Sequence, residues 1–91
     1  MLDLIWRPEA ERQFLAMLEY IGARNAPASY RIKRLVDDRV ALALAVPGLG
    51  RPGRVEGTRE LVVHPNYIVI YTHDGTTLSV IRVLHPRQQY P

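Results

Sequence analysis

Cysteine is absent from all 91 residues. Disulfides, thiolate nucleophiles and Cys-ligated zinc are therefore excluded. Long apolar runs are lacking too. The longest, Val40 to Val46, is far too short to span a bilayer, and Met1-Leu2-Asp3-Leu4-Ile5-Trp6 has neither the basic start nor the apolar stretch of a secretory signal. These absences lead us to expect a cytoplasmic protein with no membrane partner. No half of the chain is a basic block: residues 1–50 carry seven Lys/Arg against six Asp/Glu, and residues 51–91 carry five against three. A net charge of +3 so distributed permits an anionic partner without demanding one. His64, His73 and His85 show no compact metal-ligand spacing, and strand alternation scatters them over both faces. No metal and no cofactor is expected.

What is present is a chain able to fold, with 47% hydrophobic and 23% charged residues and a length suited to one domain over 1–91. Residues 2–6 read as a short strand, closed by Arg7-Pro8 because Pro suits a first helical turn and restricts the residue before it. Ala10, Phe14, Met17, Leu18 and Ile21 then recur as one helical face requires, giving a helix over roughly 8–24. Asn25-Ala26-Pro27 interrupts it. Ile32, Leu35, Val36, Ala43 and Val46 resume the pattern over roughly 27–46, and Pro47 stops it. Two helices joined so tightly form an antiparallel hairpin whose shared apolar stripe must lie on a sheet.

Residues 48–57 hold four of the six glycines and one proline, a loop composition. Read literally, Gly48-Leu49-Gly50-Arg51-Pro52-Gly53 is a G-x-G-x-x-G. A dinucleotide site needs a strand before that motif and a helix after it, and here the order is reversed. The match reads as a connection. Three strands follow over roughly 58–64, 67–73 and 77–85, linked by His64-Pro65-Asn66 and by His73-Asp74-Gly75-Thr76, whose Asp-Gly is a hairpin signal. The expected fold is α+β, with order β-α-α-β-β-β and a helical hairpin packed on a small antiparallel sheet.

Strict alternation splits each late strand into two sets. Leu61, Val63, Ile68, Ile70, Ile81 and Val83 make one apolar face, assigned to the helices. The other set, Glu60, Val62, His64, Tyr67, Val69, Tyr71, Val80, Arg82 and Leu84, is far less polar than a solvated face. It would leave Val62, Val69, Tyr71, Val80 and Leu84 as a contiguous patch of the kind that marks an interface. Either a partner covers that patch, or residues 1–6 or the glycine loop fold over it.

Taken together, the element order, the glycine loop leading into Gly57-Thr58-Arg59-Glu60-Leu61, the strand Tyr67-Ile68-Val69-Ile70-Tyr71 and the ending Val83-Leu84-His85-x-Arg87-x-x-Tyr90-Pro91 resemble the RelE/ParE superfamily of bacterial type II toxin–antitoxin toxins. Trp6-x-Pro8-x-Ala10 and Tyr20-Ile21 fit the same pattern, so the resemblance runs nearly end to end. The His-Arg-Tyr-Pro ending is closer to the ParE branch. That resemblance implies a small cytoplasmic toxin bound by a cognate antitoxin, in toxin–antitoxin assemblies of one or more copies, with DNA gyrase as its target and no catalytic reaction. Val62, Val69, Tyr71, Val80 and Leu84 become the expected antitoxin contacts.

RelE-like relatives instead cleave mRNA on the ribosome. Such cleavage needs a proton acceptor for a 2′-hydroxyl, a proton donor for the leaving oxygen and cations at the phosphate. Arg59, Arg82 and Arg87 are candidate cations, His85 a candidate acid or base, and Tyr90 a stacking platform. Few cations stand beside them on the strands, which read Leu61-Val62-Val63 and Ile68-Val69-Ile70. The non-catalytic toxin is the preferred reading, the ribosome-dependent endoribonuclease the alternative, and a fold retaining only its partner-binding role a third.

Overall fold

Pro8 at the first helical position explains why the chain turns from strand to helix at Arg7, whose backbone is still extended (φ −66°, ψ 147°). In the computed structural model, which describes residues 1–85, β1 covers Asp3–Trp6 and α1 covers Pro8–Arg24. Asn25 alone separates α1 from α2, Ala26–Ala45. Its N–H closes the first helix on the Ile21 carbonyl at 2.8 Å, while its Oδ1 accepts from Ala28 N at 3.1 Å as an N-cap. The hairpin is tied further along by Ser29 Oγ donating to the Leu18 carbonyl at 2.8 Å.

Pro47 ends α2, as its missing N–H dictates, and one 3-10 turn spans Pro47–Leu49. The glycine-rich stretch expected to be plain loop also holds a two-residue strand, β2, Arg51–Pro52. Then come β3 (Arg59–His64), β4 (Tyr67–His73) and β5 (Thr77–Leu84). The sheet has five strands in the order β1-β5-β4-β3-β2. The late strands are antiparallel as expected, but β1 pairs parallel to β5, Asp3 opposite Thr77 and Trp6 opposite Val80, so the sheet is mixed. The α+β hairpin-on-sheet architecture stands.

The faces of the sheet differ from strict alternation, and two irregularities are the cause. At the turn His64 pairs with Tyr67, a register that would set Leu61 and Val63 beside Ile70 and Ile68. A shift between Val62 and His64 moves the pairing by one, so that Leu61 meets Val69 and Val62 meets Ile68. One such step exchanges the faces of a strand. On β5 an extra residue does the same: Ile70 lies opposite Arg82 and Tyr71 opposite Val80, with Ile81 bulged between.

Consequently the core under the helices is Leu61, Val63, Val69, Tyr71, Leu78, Val80 and Val83 against Ala10, Phe14, Val36, Val40 and Ala43. Trp6 stacks on Phe14 with ring centroids 5.2 Å apart, joining β1 to α1. Val69, Tyr71 and Val80, expected in an uncovered patch, are each 0% exposed in this core. Ile68 and Ile70, expected beneath the helices, form a second cluster with Leu84 on the opposite face, with Ile81 packed against it. Only Val62, at 46% exposed, and Leu84 keep the side first assigned to them among the five patch residues.

Candidate functional site

Two constructions dominate the surface of the sheet, one at each end of β3 and β4. The first is a strap on the glycine loop. Buried Tyr71 donates its hydroxyl to the Pro47 carbonyl at 2.6 Å and accepts from Gly50 N–H at 3.0 Å. Arg59 adds its Nη1, which donates to the Gly50 carbonyl at 2.6 Å and to Gly48 at 3.4 Å. Gly50 is required here because a Cβ would stand 2.9 Å from both the Glu60 carbonyl oxygen and the Tyr71 ring. Beside the strap, Arg51 Nε meets Glu60 Oε1 at 2.9 Å; Glu60 is only 6% exposed, so this ion pair satisfies a carboxylate withdrawn from water.

The second construction is an open groove of about 280 Å³ between α1 and the end of the sheet, lined by Gln13, Ala16, Met17, Tyr67, Val83, Leu84 and His85. It exists because β1 accompanies β5 only as far as Val80, leaving the rest of that strand with no paired strand on its outer side among the described residues. Gln13 fills part of the gap, its Oε1 accepting from Val83 N–H at 2.9 Å. Nearby, Arg82 reaches back to Glu9 at 3.1 Å. At the far hairpin, Asp74 Oδ1 accepts from Thr76 N–H at 2.7 Å and Thr77 N–H at 2.8 Å. Those backbone donors, Thr76 first, hold its carboxyl below the ordinary range.

These positions bear on the candidate ribonuclease residues. Arg59 sits level with Tyr71, whereas His85 follows Leu84, which is paired with Ile68. At ~3.3 Å per residue and ~4.8 Å per strand, their Cα atoms are separated by about 16 Å. Arg59 spends its guanidinium on the loop carbonyls and Arg82 on Glu9. The three are therefore not converged on one point. Arg87 and Tyr90 lie outside the described residues. Among the described residues no three His, Asp or Glu side chains gather as a metal site would require, and no helix is long and apolar enough to cross a membrane.

Two functional groups escaped the sequence. Tyr71 looked like a surface aromatic and is instead the anchor of the loop, and nothing in its neighbourhood signals a partner 21 or 24 residues away. Gln13 occupies an otherwise ordinary helical position, and its partner lies 70 residues on.

Comparison with known proteins agrees with this architecture. The chain is 29% identical over 86 residues to "Putative toxin Y4kP" of Sinorhizobium fredii, covering 94% of this chain and 90% of that protein. Its fold matches a structure described as the chromosomal ParDE TA system from P. aeruginosa, with a TM-score of 0.79 at 20% identity, over 93% of this chain and 96% of the other. It also matches the YoeB/ParE toxin from Agrobacterium tumefaciens, with a TM-score of 0.67 at 20% identity, over 98% and 100% of the two chains. At such identities the two structures speak for the fold alone. The model of the family described as ParE toxin of type II toxin-antitoxin system, parDE, matches residues 4–90. This chain therefore belongs to the ParE toxin family of type II toxin–antitoxin systems.

Proposed function

We propose that the chain is a toxin neutralised by a cognate antitoxin and that it inhibits DNA gyrase by binding, without cutting RNA. The observation that carries the choice of target is the arrangement of the polar candidates. General acid–base cleavage requires groups within hydrogen-bond reach of one scissile phosphate. Here Arg59 is committed to Gly50, Arg82 to Glu9, and His85 stands at the other end of the sheet. Family membership supports the toxin role, and the ParDE description of the P. aeruginosa structure supports an antitoxin as the neutralising partner.

The antitoxin seat in this reading moves with the corrected faces. Val69, Tyr71 and Val80 serve the core and Leu84 is buried in the second cluster, so Val62 alone of the five stays open to a partner, while beside Leu84 lies the groove lined by Met17, Tyr67 and His85. Its apolar walls suit an inserted apolar side chain of a partner segment.

One pair of assays tests the reading: gyrase supercoiling and cleavage of mRNA on translating ribosomes, each with the purified chain freed of antitoxin. Inhibition of supercoiling with intact mRNA is expected. Site-specific mRNA cleavage that Arg59→Ala and His85→Ala abolish, with supercoiling untouched, would establish the endoribonuclease instead.

A further inference from the structure

The two edges of the sheet are built differently. At one, β2 is two residues long and contains Pro52, features that blunt an edge against added strands. The other, β1, carries no proline and no bulge, has no covering element along Asp3–Trp6 among the described residues, and its Leu4 and Ile5 are 40% and 50% exposed. Its hydrogen-bonding phase is readable. Asp3 N–H donates to Thr76 and Arg7 N–H to Val80, so residues 3, 5 and 7 turn their backbone groups to β5. Leu4 and Trp6 therefore aim theirs outward, where no strand of the described residues meets them.

We propose that β1 is a self-association edge, through which two copies of this chain join their sheets antiparallel about a two-fold axis at Ile5. In an antiparallel ladder the residues that exchange both hydrogen bonds must be those with outward backbone groups. That condition sets Leu4 opposite Trp6 of the second copy, and Trp6 opposite its Leu4. Ile5 then faces Ile5, and Asp3 faces Arg7 of the second copy, twice by symmetry.

The side chains fit this register. Asp3, Ile5 and Arg7 share one face of the strand, and among the described residues neither the Asp3 carboxylate nor the Arg7 guanidinium has an ion-pair or hydrogen-bond partner. Directly opposed residues of this kind stand with Cβ atoms ~5 Å apart, close enough for the opposite charges to attract. The strand is thus complementary to itself in backbone, in charge and in its exposed apolar residue. Charge complementarity selects a second copy over an arbitrary strand. Five residues a side bury less than the ~800 Å² per partner of a standard interface, so the dimer is expected to be weak and reversible.

The test is sedimentation of the isolated chain over a concentration series, with amide exchange at Leu4 and Trp6. Wild type is expected to dimerise reversibly, with both amides more protected at high concentration. Asp3→Arg and Arg7→Asp each oppose like charges and are expected to weaken the dimer about tenfold. The double variant Asp3→Arg/Arg7→Asp restores opposite charges and should return to within about threefold of wild type. Both substituted positions are exposed, and circular dichroism is the check that each of the three variants is folded. A wild type that stays monomeric throughout, dimers indifferent to the charges, or a double variant no better than the singles would overturn the proposal. Protection of Leu4 and Trp6 only when antitoxin is added would also overturn it, by assigning the edge to that partner.

Discussion

Replacing Tyr71 with Phe removes one oxygen from a site with 0% exposure and leaves the ring where it is. The lost hydroxyl both donates to Pro47 and accepts from Gly50, so the substitution leaves a carbonyl and an N–H beneath the loop without their partner. Each such bond contributes about 0.5–1.5 kcal/mol net, which makes the expected loss about 1–3 kcal/mol. For a domain of this size each kcal/mol lowers Tm by ~4–8 °C, so a fall of roughly 4–24 °C is expected, most of it in the middle of that range. Urea unfolding should show a lower midpoint at unchanged slope, since the same surface is exposed on unfolding. Gly50 N–H should also exchange faster in the folded variant. A stability within about 0.5 kcal/mol of wild type would refute the strap, because that is the range of a surface substitution. The variant also separates two roles for the residue: a core anchor costs stability and leaves antitoxin affinity unchanged once folded, whereas an interface tyrosine would do the reverse.

Gly50→Ala should destabilise more than an ordinary loop glycine, by about 2 kcal/mol or more, because its Cβ would lie 2.9 Å from a backbone oxygen that cannot move freely; a thermal melt checks it. Val62→Asp, at a half-exposed position on the face away from the helices, should change stability by no more than about 0.5 kcal/mol yet weaken antitoxin binding measured by titration calorimetry. Asp74→Ala should lower Tm at neutral pH by removing the acceptor for Thr76 and Thr77. Its sign with pH follows from the lowered carboxyl: the folded state favours the charged form, so the contribution is full above the unfolded pKa and is lost as pH falls through the lower folded value. The gap in Tm between wild type and variant should therefore hold steady above about pH 5 and close below about pH 4.

What could be read from the chain alone was whatever local chemistry decides. Pro8, Pro47 and Asp74-Gly75 act on their own backbone or that of the next few residues, and the helix ends and the last hairpin fall where they indicate. Asn25 caps two helices from one position, so the hairpin was legible too. The ordered set of motifs carried the family. The faces of the sheet were not legible, because they depend on one skipped residue near His64 and one extra residue at Ile81, and such register shifts follow from pairing between strands rather than from either strand alone. The same limit governs the site. Arg59 has the residue type of a catalytic cation, but only the folded chain brings the Gly50 carbonyl to its guanidinium, and only the end of β1 at Trp6 opens the β5 edge that Gln13 closes. Sequence determined which elements form and what family they make, since those rest on short-range sterics and periodicity; tertiary structure decided which side chains remain for partners, since that depends on contacts between residues far apart in the chain.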